Sequence, residues 1–486
     1  VHLIDPDVWG HKVFTGAWTP AAGGTTPVVS PATGTHLGAI GRAGPEDVRA
    51  AADRAADVQP QWAHTPYTDR AAVLRTAGDL LAEHKEEAQR WLRLEGGSAR
   101  GKAAFSVHVA TAELYEAAAL ASQAHGEVLR TAQPKLSLSR QVPAGVVGVI
   151  APFNFPLILA VRSVAPALAL GNAVVLKPDP RTAVCGGALL AEVFRRAGLP
   201  DGVLQVLPGG ADAGEALIAA PPVRVVSFTG STAAGRAVGE LGARHLKRVH
   251  LELGGNSPLI VLADADPGRA AAAGAWGSFL HQGQICMTTG RHLVHERVAD
   301  AYVDALAAKA DSLTVGDPDG AETVLGPLID AGQRDKVHAL VRGSVDAGAR
   351  LAAGGSYTDL YYRPTVLDGV APDSPAYATE VFGPVAPVVR FSSTDEAVRL
   401  AADSPYGLSL GIITGNPMRG LEVADRIPSG IVHINDQTVD DEPTAPFGGV
   451  GDSGTGARFG GTRANIDAFT ETQWVTMRAD IARHPF

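Results

Sequence analysis

The alternation of apolar and polar positions divides the chain into distinct stretches. From Pro45 to about Glu95, "EDVRAAADRAADVQPQW" and "TDRAAVLRTAGDLLAEHKEEAQRWLRLEGG" carry apolar residues three and four apart, the period of amphipathic helices. Thr68 and Asp69 mark a helix start, and Gly96–Gly97 a stop. From residue 141 the character changes. Short β-branched runs, "GVVGVIAPFN" (145–154), "NAVVLKP" (172–178), "VLQVLPG" (203–209), "VRVVSFTGS" (223–231) and "RVHLELGG" (248–255), are separated by helical segments. That alternation predicts crossover units and a parallel sheet. It resumes at "SPLIVLADAD" (257–266) and continues to about 440, predicting a second α/β unit. Residues 1–40, rich in Gly, Pro and Thr, read as extended arms. The stretch 121–143 alternates polar and apolar residues as a protruding hairpin would, and the tail from Asp467 reads as a further strand.

Composition narrows the function classes. Apolar residues are 45% of the chain and charged residues 19%, which fits a soluble globular protein with a large core. The net charge of −10 argues against a nucleic-acid or anionic-membrane partner. The most apolar region, 157–176, is broken by Arg162, Ser163, Pro166, Gly171 and Asn172, so it is not expected to span a membrane. No charged region followed by an apolar stretch opens the chain, and the default location is the cytoplasm. The two cysteines, Cys185 and Cys286, form no CxxC pair. Neither a disulfide framework nor a metal site is expected.

Four local features carry chemistry. Cys185 lies on an apolar helix face and reads as a core residue, but Cys286 sits in "HQGQICMTTG" among small polar neighbours, a setting that exposes and activates a thiolate. Glu252 ends a strand-like run just before Gly254–Gly255 in "LELGGNSP", where a carboxylate can reach a cleft and act as a base. Asn154 in "APFNFP" is held between two aromatics and two prolines, and its amide NH₂ can stabilise an oxyanion. "SFTGSTAAG" (227–235) is a strand, a glycine turn and a helix start whose amides can face a pyrophosphate.

Taken together and in this order, these motifs resemble the aldehyde dehydrogenase superfamily across essentially the whole chain. The resemblance implies an α/β fold of two Rossmann-like open-sheet domains plus a small β bridging and oligomerisation element. The expected boundaries are 1–122 and 142–255 for NAD(P) binding, 256–460 for catalysis, and 123–141 with 461–486 for bridging. By motif, Cys286 corresponds to the nucleophile, Glu252 to the general base, and Asn154 with the Cys286 amide to the oxyanion donors. Ala151, Pro152, Phe153, Lys177, Gly230, Ser231, Leu253, Glu380 and Phe382 correspond to cofactor contacts. The implied cofactor is NAD or NADP, with NAD favoured, and the implied assembly is a homodimer or homotetramer.

Two departures stand out. The Lys–Glu pair thought to relay protons in many members is replaced by Ser163 and Arg458. The Glu that often selects NAD is replaced by Pro180, and the neighbouring Arg181 is a candidate for a 2′-phosphate. The segments 151–172, 281–296 and 434–461 resemble the benzaldehyde and vanillin dehydrogenase branch in particular, which implies an aromatic aldehyde substrate. Phe155 and Phe447 would then be apolar walls, and Arg162, His281, Gln437 or Asp441 would meet ring substituents. The alternative is a carboxylated semialdehyde anchored by Arg162. An unpaired buried guanidinium is costly, so Arg162 is expected to find an internal carboxylate such as Asp441 or Glu442. A Cys–His hydrolase using His281 would leave Glu252 and "EVFGPV" (380–385) without a purpose, and a non-catalytic scaffold would have no need of Cys286 and Glu252.

Overall fold

The computed structural model describes residues 2–486. Two seven-stranded mixed sheets organise it. In the first, the strands Arg248–Glu252, Val223–Thr229, Val146–Ile150, Ala173–Lys177 and Leu204–Val206 run parallel in that spatial order. Lys12–Phe14 and Trp18–Pro20 add an antiparallel edge. The N-terminal arms are therefore partly built into a sheet, and Pro6–Trp9 forms a short helix. The parallel strands are almost wholly buried, as helices on both faces require. The strand order reverses between Val146–Ile150 and Val223–Thr229, and the crevice beyond the carboxyl ends at such a point is where ligands bind in open α/β sheets.

The second sheet runs Arg350–Ala353, Thr365–Asp368, Val385–Phe391, Thr289–His295, Ser257–Val261, Ser409–Ile413, Ile431–Ile434. All neighbours pair in parallel except the first two. A core of helices on one face of the first sheet extends to Ile285, Met287, Leu408 and Phe447. This continuous packing fixes the Cys286 loop, which belongs to the second half of the chain, against the first sheet.

The region expected as one helix from Thr68 to Glu95 is two, Tyr67–Glu83 and Lys85–Leu94, broken at His84. The segment 182–200 opens with a 3₁₀ turn and a π-helical turn that holds Cys185 before the α-helix Leu189–Arg196 begins. Buried Glu95 explains this local geometry, because its carboxylate accepts from the Val184 and Cys185 N–H groups. The expected hairpin and tail strand pair as Gly126–Val128, Leu136–Pro143 and Thr470–Met477 in one antiparallel sheet. Among the described residues, no helix is long and apolar enough to cross a membrane.

Candidate active site

Cys286 lies where two cavities meet. One, of about 500 Å³, is walled by Phe105, Phe155, Trp276, Met287 and Phe447, with Arg162 among its few charged groups. The other, of about 160 Å³, is lined by Asn154, Leu253, Gly254, Glu380 and Phe382. The two share Leu159 and Cys286. The smaller cavity continues past Pro152, Phe153, Gly230 and Ser231 into a cleft of about 700 Å³ holding Ala151, Lys177, Asp179 and Arg181. All the cofactor contacts expected from the sequence therefore lie along one cleft at the carboxyl ends of the first sheet.

Local geometry explains how each group is held. His281, Gln282 and Gly283 all adopt left-handed backbone angles just before the thiol, a conformation disfavoured for the first two. Gln282 secures this turn by donating to the Gly97 and Pro327 carbonyls, and the Gln284 side chain accepts from the Ile329 N–H. Close approach bears on both glycines after Leu253, to a side-chain end at Gly254 and to backbone at Gly255. A Cβ at Gly254 would overlap Glu380 Oε2, and one at Gly255 would come 2.5 Å from the Cys286 carbonyl oxygen.

Asn154 is buried, and its Nδ2 donates to the Gln284 carbonyl at 2.8 Å. One amide hydrogen remains for a substrate oxygen. Its own carbonyl accepts from Lys102 Nζ at 2.7 Å. Glu252 is 3% exposed, and neither carboxylate oxygen makes a hydrogen bond. Burial pushes its carboxyl well above the ordinary range, against the pull of Arg458 and Arg162. Such a group holds a proton readily, as a base near neutral pH must. The Cys286 thiol is pushed up to about 12, first by burial and then by Glu380, Glu252 and Asp441. For the chain alone, burial keeps the thiol protonated near neutral pH, with Glu380, Glu252 and Asp441 adding to the shift and Arg162 opposing it.

The dinucleotide expected from the sequence fits the cleft. Ser231 caps the helix Thr232–Arg244, its side chain accepting from the Ala234 N–H at 3.3 Å, and both residues line the cleft. Lys177 Nζ donates to the Gly209 carbonyl at 3.0 Å. Glu380 accepts from the Gly255 N–H at 3.1 Å, and Phe382 holds a left-handed φ of +54° while its carbonyl accepts from Gln333. Arg181, the candidate for a 2′-phosphate, is engaged by neighbouring carboxylates. Its guanidinium pairs with Asp179 and Asp330 and stacks on Phe153 at 4.3 Å.

Arg162 has its internal carboxylate. Nη2 pairs with Asp441, as expected, and Nε donates to Glu113 Oε1 at 3.1 Å. Phe447 lies 4.8 Å beneath its guanidinium. His281 does not reach the thiol. Both its ring nitrogens lack partners, and its ring meets Phe155 edge-on at 5.6 Å. Ser163 bonds Ser227, and Arg458 donates to the Gly449 and Ala457 carbonyls, so neither reproduces a proton-relay pair. The residues missed are Lys102 and Glu113. Both are charges on the buried face of the Ala-rich helix Arg100–Leu120, which was the available signal.

The aldehyde dehydrogenase family profile matches residues 18–475. The chain belongs to the aldehyde dehydrogenase family. Within it, the chain is 65% identical over 484 residues to a vanillin dehydrogenase from an Amycolatopsis species, covering 100% of both. It is 51% identical over 480 residues to the benzaldehyde dehydrogenase [NAD(+)] of Pseudomonas putida, covering 99% of this chain and 98% of that one. The NAD+ complex of an aldehyde dehydrogenase from Bacillus cereus superposes with a TM-score of 0.94 at 33% identity, covering 98% and 99%.

Proposed function

We propose that this aldehyde dehydrogenase oxidises aromatic aldehydes to carboxylic acids with NAD. Cys286 acts as nucleophile, Glu252 as general base, and Asn154 with the Cys286 amide as oxyanion donors. The observation that carries the substrate class is the 500 Å³ cavity, walled by aromatic rings and ending at Cys286, in which the Arg162 charge is already met by Glu113 and Asp441. A semialdehyde carboxylate would face those two carboxylates. The vanillin and benzaldehyde dehydrogenase relatives support the same class.

In this reading the Cys286 thiol gives its proton to Glu252, which releases it to solvent, and the sulfur adds to the carbonyl carbon; the resulting oxyanion accepts from Asn154 Nδ2. When bound in the cleft, NAD supplies the hydride acceptor that converts this thiohemiacetal to a thioester. Lys177, Gly230, Ser231, Glu380 and Phe382 would hold it. Glu252 then takes a proton from water, which attacks the thioester and frees the thiol. The small groups around Cys286 leave room for the reacting atoms to come near van der Waals contact. NAD rather than NADP is favoured because Asp179 lines the cleft beside Lys177 and keeps Arg181 engaged.

We assign the first sheet and its helices to cofactor binding, the second to the Cys286 loop, and the three-stranded sheet to a homodimer or homotetramer contact. Two free thiols suit the cytoplasm. Steady-state NADH formation decides the substrate class. Benzaldehyde and vanillin should exceed succinate semialdehyde in kcat/KM, with NAD better than NADP. Succinate semialdehyde winning by about tenfold, with Arg162→Leu erasing the advantage, would reject the aromatic reading.

A further inference from the structure

Several buried polar groups beside Cys286 close into a circuit. Gln282 Nε2, on the left-handed turn before the thiol, donates to the Gly97 carbonyl at 3.2 Å. The next residue, Ser98, accepts at Oγ from Lys102 Nζ at 3.0 Å. Lys102 Nζ also donates to the Asn154 carbonyl at 2.7 Å. Asn154 Nδ2 then donates to the Gln284 carbonyl at 2.8 Å, which brings the path back to the thiol turn. Every residue on this path is buried. Lys102 is its unusual member. An ammonium has three N–H donors, and here they meet Ser98 Oγ, the Asn154 carbonyl and the face of the Phe155 ring, 4.3 Å away. None of these is a carboxylate. A buried cation without a counter-ion is costly, and burial pushes this amine down to about 7.

We propose that Lys102 is a positioning residue: anchored on Ser98, it sets where the Asn154 amide stands relative to the Cys286 sulfur. The inference rests on the oxyanion role given to Asn154 above and adds what keeps that donor aligned with the nucleophile. Asn154 lies between the strand Val146–Ile150 and the helix Pro156–Ala169, outside both. The first helical bond is accepted one residue later, by the Phe155 carbonyl from the Leu159 N–H at 2.9 Å. The backbone of Asn154 is therefore held by Lys102, and its side chain by Gln284. With both ends fixed, the second Nδ2 hydrogen has a defined direction. Gly97 and Ser98 are adjacent, so the thiol turn and the oxyanion donor are both referred to one short turn. Such alignment matters, because a reacting or donating group displaced by about 1 Å can cost on the order of 100-fold in rate.

The test is a double-mutant cycle on the full-length enzyme at saturating NAD, reading kcat/KM for benzaldehyde and for succinate semialdehyde. Lys102→Met keeps the length of the side chain and removes its donors. It should lower kcat/KM by about 10–100-fold for each of the two aldehydes that is oxidised, because the oxyanion is common to both. NAD affinity should not change, since Lys102 lines neither the cleft nor the smaller cavity. Added to Asn154→Ala, Lys102→Met should cost less than about threefold, because the donor it positions is already gone. A Lys102→Met enzyme as fast as wild type overturns the proposal. So does a loss that recurs in full on top of Asn154→Ala, as a general loosening of the pocket would give. If Lys102→Met does not fold, Ser98→Ala carries the same cycle. It releases Lys102 Nζ from its anchor, and should lower kcat/KM by about threefold or more only where Asn154 is present. An equal loss with and without Asn154, or no loss, overturns the proposal. An Asn154→Ala enzyme that matches wild type would remove the oxyanion role itself and this proposal with it. A slow Asn154→Ala beside a fast Lys102→Met removes the proposal alone.

Discussion

Burial, with Glu380, Glu252 and Asp441 adding to it, sets how the Cys286 thiol behaves in the absence of ligands. A thiol pushed up to about 12 by burial and by Glu380, Glu252 and Asp441 remains protonated through the neutral range. Its thiolate fraction then grows about tenfold per pH unit while pH stays below that value. Alkylation of the ligand-free enzyme by iodoacetamide should therefore climb steadily from pH 7 to 10. Levelling off near pH 8 would show that the thiol is activated without ligand. The position of this cysteine was legible in "GQICMTTGR" because small polar neighbours mark a reactive loop. Its ionisation was not, because the burial that dominates it, and the carboxyl groups of residues 252, 380 and 441 that add to it, are set only by the fold. Glu113 was hidden for the same reason: it is 49 residues from Arg162 along the chain.

At the scale of elements, Asn172 ties three segments together. It is fully buried, and its side chain accepts from the Gly145 N–H and donates to the Ala167 and Phe469 carbonyls. These atoms lie ahead of the strand Val146–Ile150, near the end of the helix Pro156–Ala169, and at the start of the tail strand. The two carbonyls have other donors, Asn172 N–H and Ala144 N–H, whereas Gly145 would be left with none. Asn172→Ala should therefore cost about 1–3 kcal/mol, seen as a lower apparent melting temperature with the tail strand more open to proteolysis. An unchanged melting profile would mean that the tail is anchored elsewhere. The strand–helix alternation around this residue was readable because β-branched runs of four or five residues stand clear between helices. The break at His84 was not, since the helical period continues across it without Gly or Pro. The π-turn at Cys185 depends on Glu95, a partner 90 residues away.

The molecule as a whole leaves one surface incomplete. The three-stranded sheet exposes Val128, Leu136, Trp474 and Met477 and ends in unpaired edges at Gly126–Val128 and Thr470–Met477. Monomers rarely leave such edges and apolar groups uncovered. Trp474→Arg should lower the mass measured by light scattering from a dimer or tetramer towards 50.1 kDa. A wild-type protein already at that mass would remove the reason for the sheet's exposure. Another whole-molecule feature reaches further. The aldehyde cavity and the dinucleotide cleft share two lining residues, Leu159 and Cys286. A substitution among the remaining lining residues of one replaces no lining residue of the other. A lineage built on this scaffold can therefore change its diet by rewriting one chamber, keeping its redox currency intact.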